Sequence, residues 1–274
     1  MKKPLISIVM PVFNAEKTIS KSIESILSQT VKDFEFIIVN DFSKDKTLEI
    51  INLYKKKDSR ISIINNSRNL RIANSLNVGV LTAKADLVAR MDGDDISVST
   101  RLEEQYLYLK HHPKVGIVGT NISIIDNEEK EIWKREYPTK SEDLKKVMFR
   151  YSPFAHPTVM FRKRIFEEFG GYDPKMVPCE DIDFWFKIGV KYEFGNIPKT
   201  LLKYTSVSAT SSRYNLRKTE LLGFKIKINA IKNLGYWPSV YDVIYNLLEF
   251  LTLWMMSDDI RIKFYNFLRS RRLI

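Results

Sequence analysis

Three carboxylates lie within four residues in the segment Asp92-Gly93-Asp94-Asp95. The segment directly follows an apolar run, 87–91, which is typical of a buried strand. Crowded carboxylates repel one another unless cations compensate them, and Mg²⁺ and Mn²⁺ prefer such oxygen ligands. The pattern predicts a metal site, although Asp and Gly are also ordinary residues of an acidic, solvent-exposed turn.

A second pair of carboxylates, Glu180 and Asp181, precedes a helical pattern that includes Trp185 and Phe186. One interpretation is helix capping, because a carboxylate at a helix N-terminus is stabilised by the helix dipole. The other is a general base. A carboxylate can deprotonate a hydroxyl group as it attacks, since the hydroxyl becomes acidic only in the transition state.

The elements that position these residues alternate regularly in the first 90 residues. Apolar runs at 5–10, 34–39, 61–64 and 87–91 predict four strands, and helical spacing predicts helices between them, including 44–57 and 72–83. This alternation indicates an α/β, doubly wound parallel sheet. The segments that follow the first, second and fourth strands then meet at one edge, in one crevice.

The crevice has neither a G-x-G-x-x-G nor a G-x-x-x-x-G-K-[ST] sequence, which excludes a dinucleotide-binding fingerprint and a P-loop. Beyond residue 112 the alternation weakens. We expect a helix at 100–110, strands at 115–119, 156–162 and 199–204, and a mixed or antiparallel region at 121–137. The Ser/Thr-rich stretch 206–213 is a candidate lid.

Net charge is +11, and residues 213–274 carry 11 Lys and Arg against 5 Asp and Glu. A basic tail with an apolar face suits an anionic membrane surface or nucleic acid. The apolar run 243–256 is too short to span a bilayer and is interrupted by Asn246 and Glu249. The single cysteine, Cys179, excludes an internal disulfide and suggests a reducing compartment.

Five ordered segments together resemble the inverting, family-2 glycosyltransferases of the GT-A fold, over about residues 4 to 210. They are Ser7-Ile8-Val9-Met10-Pro11-Val12-Phe13-Asn14, Ser25-Ile26-Leu27-Ser28-Gln29-Thr30, Val39-Asn40-Asp41-Phe42-Ser43-Lys44-Asp45, Ala89-Arg90-Met91-Asp92-Gly93-Asp94-Asp95 and Glu180-Asp181. The resemblance implies a Rossmann-like, mostly parallel sheet flanked by helices.

The resemblance also implies roles for individual residues. Asp92 would contact the ribose of a nucleotide-sugar, Asp94 would bind Mn²⁺ or Mg²⁺, and Asp181 would be the general base. Glu180 and His156 would contact the acceptor. Arg162 and the segment Ser211-Ser212-Arg213 would contact either the acceptor or the diphosphate. The nucleotide-sugar-binding residues implied are Pro11, Val12, Phe13, Asn14, Asp41, Arg71, Asp92 and Gly93.

Three positions depart from the family pattern. Asn40 and Phe42 flank Asp41 where relatives often have Asp and Gly, which puts the turn geometry in question. Arg71 also replaces a frequent Gly and could reach the diphosphate.

The resemblance divides the chain into a GT-A catalytic domain, 1–212, and a helical basic extension, 213–274. The nucleotide-sugar-binding half would be about 1–112 and the acceptor-binding half about 113–212. We expect a metal-dependent enzyme that transfers sugar from a UDP-sugar to a glycan or lipid-linked saccharide in surface polysaccharide biosynthesis. Its expected location is cytoplasmic, with peripheral contact to an anionic membrane through 243–274, and we expect no nucleic-acid partner.

Two other functions stay open at this point. A nucleotidyltransferase shares the α/β layout and the acidic metal site, but it would carry a glycine-rich phosphate loop after the first strand, which 11–17 is not. A non-catalytic nucleic-acid-binding protein would fit the positive charge, but it leaves the convergence of Asp41, Asp92, Asp94 and Asp181 unexplained.

Overall fold

The computed structural model describes residues 3–205, 216–256 and 260. Its first half alternates strands and helices as the apolar periodicity predicts. The strands are β1 (Ile6–Val12), β2 (Phe34–Asn40), β3 (Ile61–Asn65) and β4 (Leu87–Arg90). The helices are α1 (Ile19–Leu27), α2 (Thr47–Lys57) and α3 (Arg71–Thr82). These four strands lie in the order β3-β2-β1-β4 and pair in parallel, which confirms the predicted doubly wound sheet.

The second half extends the same sheet in the order β4-β8-β6-β9-β5. Its strands are β5 (Ile96–Ser97), β6 (Val115–Ile125), β7 (Glu131–Arg135), β8 (Met160–Arg162) and β9 (Glu193–Thr205). Its helices are α4 (Arg101–His111), α5 (Ser141–Val147), α6 (Lys163–Phe169), α7 (Glu180–Gly189), α8 (Leu216–Asn233) and α9 (Val240–Met255). β8 is antiparallel to both β4 and β6, so the sheet becomes mixed where the alternation weakened.

The strand predictions of the second half were wrong in three places. Residues 156–158 form a 3-10 turn, and only Met160–Arg162 pairs, because Pro157 has no amide hydrogen to donate to a ladder. β9 begins at Glu193 rather than at 199, through parallel pairing with β6. The segment after the acidic cluster contains the two-residue strand β5, which pairs with β9 and was not expected.

The hydrophobic core covers both faces of the sheet. Alternate residues of β1 point to opposite faces, so that Ile8 and Met10 pack with α1, whereas Val9 packs with α3. Helices α1, α2 and α4 cover one face, and α3, α5, α6, α7 and α8 cover the other. The carboxyl ends of β1, β2 and β4 therefore open at one edge between the two helical layers.

The helical extension begins in contact with this core. Ile226 and Ala230 of α8 are buried with the residues of α7, and α8 ends at Asn233, before Gly235. Within the described residues, no helix has the length and hydropathy needed to cross a membrane. The predicted lid at 206–213 and the basic segment 261–274 lie outside the described residues, as does the domain boundary predicted at 212, which stays a prediction.

Candidate active site

Two loops at the sheet edge are tied together by side-chain hydrogen bonds. The Oδ1 atom of Asn14, after β1, accepts from the Lys44 amide at 2.8 Å, and Ser43 Oγ accepts from the Asn14 amide at 3.0 Å. Thr47 Oγ1 accepts from the amide of Ala15 at 2.7 Å. Asn14 is thus used to join the loops that follow β1 and β2.

Asp41, at the end of β2, connects the sheet edge to the start of α3. Its carboxylate accepts from the backbone amides of Leu70 at 2.8 Å and Arg71 at 2.9 Å, and from Asn66 Nδ2 at 2.7 Å. The side chain is 4% exposed. Because α3 leaves its first amides without intrahelical partners, this carboxylate caps the helix and is held in one orientation.

Two of the departures from the family pattern, Phe42 and Arg71, occupy strained backbone positions. Phe42 has φ +64° and Arg71 has φ +65°, in the left-handed region that favours glycine. The turn geometry therefore keeps the conformation that glycine would adopt without strain. Strained residues of this kind cluster at functional sites, and both of these follow or contact Asp41.

A cleft of about 420 Å³ opens between these loops, α3 and the start of α8. Of the sequence-predicted donor residues, five line it: Pro11, Val12, Phe13, Asp41 and Arg71. The remaining lining residues are Asn69, Ile72, Ser75, Val177, Pro178, Lys218 and Thr219. The other three predicted residues, Asn14, Asp92 and Gly93, are not among them. The cleft adjoins the N-terminus of α7, since Val177 and Pro178 precede Glu180 by two or three residues.

The acidic cluster lies on the loop after β4. Carboxylate oxygens of Asp92, Asp94 and Asp95 fall within 4.8 Å of one another. Burial and the negative charge of Asp92 raise the pKa of Asp94 to about 6. Burial and both neighbouring carboxylates raise the pKa of Asp95 well above its usual value. The cluster thus holds negative charge that its surroundings only partly compensate.

Backbone contacts fix the shape of this acidic loop. Thr18 Oγ1 donates to the Gly93 carbonyl at 2.8 Å, and the Thr205 amide donates to Asp95 Oδ1 at 3.0 Å. A Cβ atom at Gly93 would lie 2.7 Å from Cγ1 of Val12. Gly93 and Val12 are therefore in close contact, which places the acidic loop directly behind the floor of the cleft.

A metal ion fits the acidic loop on two observations. The Oδ2 atom of Asp95 is buried and has no hydrogen-bond partner in the described part of the chain. The three carboxylates also offer only hard oxygen ligands, close enough to share one Mg²⁺ or Mn²⁺. Such an ion would lower the repulsion that raises these pKa values.

Arg90, the last residue of β4, connects the two acidic constellations. Its Nη1 donates to Asp92 Oδ2 at 2.5 Å, and its side chain is 6% exposed. Its positive charge also partly offsets the burial that raises the pKa values of Glu180 and Asp181. The buried guanidinium is therefore paired with the acidic loop and is close enough to α7 for its charge to act on both carboxylates there.

Glu180 and Asp181 begin α7, as predicted. Burial and the neighbouring charge of Asp181 raise the pKa of Glu180 to about 7, and its Oε2 has no hydrogen-bond partner within the described residues. Burial likewise raises the pKa of Asp181, whose Oδ2 accepts a 3.4 Å contact from Ser152 Oγ. Raised carboxylate pKa values suit groups that accept a proton near neutral pH.

His156 lies against Trp185 of α7 in an aromatic setting. Its Nε2 lies 3.1 Å from the Tyr172 hydroxyl, and its ring meets Trp185 edge to face at 5.7 Å. Burial and the charge of Arg90 lower the pKa of His156 well below its usual value, so the ring is neutral. A neutral imidazole here offers a polar edge to an acceptor hydroxyl.

Arg162 has a different role from the predicted ligand contact. Its Nε donates to the Val115 carbonyl at 2.9 Å, and its Nη2 donates to the Leu109 carbonyl at 2.8 Å. These bonds join β8 to α4 and β6, so the guanidinium is used within the scaffold. The segment Ser211-Ser212-Arg213 lies outside the described residues.

Sequence reasoning assigned no role to Arg90, Asn66 or Tyr172. Arg90 stood within a quoted motif, and its signal was a charged residue at the end of an otherwise apolar strand. Charged residues are rarely fully buried without a partner. Asn66 and Tyr172 carried no comparable signal in the sequence, because each acts through a neighbouring side chain. Asn66 donates to Asp41, and the Tyr172 hydroxyl contacts His156.

Comparison with known proteins adds a family match. The profile described as Glycosyl transferase family 2 matches residues 7–170. An uncharacterised glycosyltransferase of Methanocaldococcus jannaschii is 34% identical over 92% of this chain and 89% of its own length. The O-antigen biosynthesis glycosyltransferase WbnJ of Escherichia coli is 31% identical, over 81% of this chain and 88% of its own.

Solved structures share the fold at lower identity. Staphylococcus aureus TarS 1-349, crystallised in complex with UDP, superposes with a TM-score of 0.65 at 19% identity. The match covers 82% of this chain and 66% of that one, just under two thirds of it. The mannosyltransferase PcManGT from Pyrobaculum calidifontis, in complex with GDP-Man and Mn²⁺, gives 0.64 at 15% identity over 92% of this chain and 70% of that one.

Proposed function

Because the chain belongs to glycosyl transferase family 2, and is a glycosyltransferase of the GT-A fold, we propose that it is a metal-dependent inverting enzyme that uses a UDP-sugar. Membership of this family removes the nucleotidyltransferase and the non-catalytic alternatives. One observation carries the proposal: the cleft at Asp41 is lined by Val12, which packs against Gly93 of the acidic loop, and by Val177 and Pro178, which lead into the carboxylates of α7.

The cleft takes the nucleoside of the donor. Pro11, Val12 and Phe13 offer a flat, largely apolar wall for the base, and Asp41 is already oriented by its backbone hydrogen bonds to accept from the base. Arg71 lies at the cleft with an exposed side chain, where its guanidinium binds the diphosphate. Asp92 accepts from the ribose, and Gly93 allows the acidic loop to approach the cleft floor.

Asp94 is the proposed ligand of Mn²⁺ or Mg²⁺, with Asp92 and Asp95 within reach of the same ion. When bound, the ion supplies positive charge that stabilises the leaving diphosphate. The structure of TarS in complex with UDP and that of PcManGT in complex with GDP-Man and Mn²⁺ support a nucleotide-sugar donor.

Asp181 is the proposed general base. It takes the proton of the acceptor hydroxyl while that oxygen forms a bond to the anomeric carbon. The bond from that carbon to the diphosphate oxygen breaks on the opposite face, so the configuration inverts and no covalent enzyme intermediate forms. Glu180 and His156 orient the acceptor hydroxyl beside the base.

The proposed acceptor is a glycan or a lipid-linked saccharide of a surface polysaccharide. The similarity to an O-antigen biosynthesis enzyme supports this assignment. A lipid-linked acceptor would require the enzyme to work at the cytoplasmic face of a membrane. Peripheral contact through 243–274 is part of the same proposal.

The test is calorimetric titration of the protein with UDP, GDP, dTDP and CDP, each with and without Mn²⁺. We expect UDP to bind tightly only with the metal. Asp94→Ala should abolish the metal-dependent part, whereas Asp143→Ala, which removes an exposed carboxylate of α5, should change nothing. Equal binding of UDP by wild type and Asp94→Ala would exclude Asp94 as the metal ligand, and preference for GDP would reassign the donor.

A further inference from the structure

Helix α9 is amphipathic in the reverse sense to the other helices of the core. Its polar residues face the protein, and most of its apolar residues face outward. The inward side follows helical spacing and comprises Asp242, Tyr245, Asn246, Glu249 and Leu253, which are buried or half-buried. A helix that packs only to fill a core normally shows the opposite arrangement.

Polar contacts from distant segments hold this inward side. Arg150 Nε lies 3.0 Å from Asp242 Oδ1, and Asn246 Nδ2 donates to the Phe149 carbonyl at 2.9 Å. Lys227 Nζ of α8 donates to Asn246 Oδ1 at 2.7 Å and to Glu249 Oε2 at 3.3 Å. The rotation of α9 about its axis is therefore fixed by specific partners, so the outward direction of its apolar side is a built feature.

The outward side forms a continuous apolar surface, which we call the α9 face. Its members are between 42% and 80% exposed. They are Val240, Tyr241, Val243, Ile244, Leu247, Leu248, Phe250, Leu251, Trp254 and Met255. Phe250 meets Phe224 of α8 at 5.5 Å, and the exposed Leu221 and Ile228 share the helix side of Phe224. A patch of this extent on a soluble protein marks an interaction site.

The chemistry of the α9 face and its rim indicates the occupant. No position of the α9 face carries a charge, and it includes aromatic residues that favour a membrane interface. The guanidinium of Arg217 lies 5.9 Å from the Trp254 ring, at the edge of the face. In the sequence the helix is followed by Asp258 and Asp259 and then by five basic residues between positions 261 and 274, a net charge of about +3 after the helix. An apolar face bordered by basic groups complements the interfacial region of an anionic bilayer.

We infer that the α9 face docks the enzyme on the surface of an anionic lipid membrane, with α9 lying in the plane of the interface. The inverted polarity explains why a helix too short to span a bilayer keeps so many apolar residues outside the core. The use of this contact rests on the proposed function, since a lipid-linked saccharide presents its hydroxyl at that surface. The contact itself does not require donor binding.

The test is co-sedimentation of the full chain with phosphatidylcholine vesicles, with and without phosphatidylglycerol. We expect the wild type to bind the anionic vesicles and to be released by salt. Leu247→Gln with Leu251→Gln should weaken binding at least about tenfold, because two buried aliphatic contacts are lost. The matched control is Leu53→Gln with Leu81→Gln, which changes two leucines of similar exposure on α2 and α3.

Two further measurements keep the outcome interpretable. UDP titration of each variant should be unchanged, so that failure of the docking surface and failure of the proposed donor are separate results. Trp254→Phe, which replaces an exposed aromatic ring with a smaller one, should reduce the blue shift of tryptophan fluorescence on vesicle addition. The inference is overturned if the wild type ignores anionic vesicles or if the α9 double variant binds like the control pair. A wild-type dimer that the double variant dissociates, without vesicle binding, would assign the face to a second copy of the chain.

Discussion

The guanidinium of Arg90 donates a 2.5 Å hydrogen bond from Nη1 to Oδ2 of Asp92 inside the candidate active site. Arg90 is buried, and its Nε has no hydrogen-bond partner in the described part of the chain. The same positive charge partly offsets the burial that raises the pKa values of Glu180 and Asp181, so Arg90 acts on the acidic loop and on the carboxylates of α7. Arg90 is thus a positioning residue for both halves of the site.

Replacing Arg90 should change both stability and the pH dependence of transfer. Arg90→Met leaves Asp92 as an unpaired, largely buried carboxylate, which costs about 3 kcal/mol of unfolding free energy. Loss of the nearby positive charge raises the pKa of Asp181, so the rising limb of the pH–rate profile moves to higher pH. Arg90→Lys keeps the charge and should leave that limb in place. Identical profiles for the methionine variant and the wild type would contradict the coupling.

The carboxylates of α7 should separate binding from chemistry. Asp181→Asn should keep metal-dependent UDP binding and lose transfer by at least about a hundredfold, since the general base is gone. In the wild type kcat/KM should rise with pH through the raised pKa of Asp181, because only the carboxylate accepts a proton. Glu180→Gln removes a neighbouring negative charge and should move that rise to lower pH. Unchanged turnover in Asp181→Asn would assign the base elsewhere.

The contact between Gly93 and Val12 predicts a compensating pair of substitutions. Gly93→Ala would place a Cβ atom 2.7 Å from Val12 Cγ1, and such overpacking costs about 1–3 kcal/mol. Val12→Ala removes the clashing methyl group, so the double variant should be more stable than the sum of the two single changes predicts. Chemical denaturation of all four proteins measures the coupling. Strict additivity would show that the two residues are not in contact.

The strained backbone conformation of Phe42, rather than its side chain, should lower the stability of the protein. At φ +64° a phenylalanine is strained by about 1 kcal/mol or more. Phe42→Gly removes that strain and should raise the melting temperature, unless the greater freedom of glycine in the unfolded chain offsets the gain. Phe42→Ala removes the contact of the ring with Lys44 but keeps the strain, so it serves as the control. A glycine variant no more stable than the alanine variant would refute the strain argument.

The first half of the fold and most of the donor site follow from the sequence. Apolar periodicity located β1 to β4, and parallel strands necessarily bring their carboxyl ends to one edge. That rule placed the segments after β1, β2 and β4 in one crevice. In the structure the first two segments line the cleft, although Asn14 joins the loops instead, and the acidic loop lies behind it. The strand β9 was shortened in the prediction because Gly195, Asn196 and Pro198 interrupt its apolar pattern, while its pairing depends on β6, far away in sequence.

The sequence by itself determined the strands and helices of the first 90 residues and which carboxylates could act together. Only the tertiary structure decided that Arg90 is buried against Asp92 and that α9 turns its apolar side outward. The physical reason is the same in both cases. The periodicity of the sequence shows which side of a helix or strand is apolar. Which side is buried, and how the element is rotated about its axis, depends on polar partners in other segments, such as Asp92, Arg150 and Lys227.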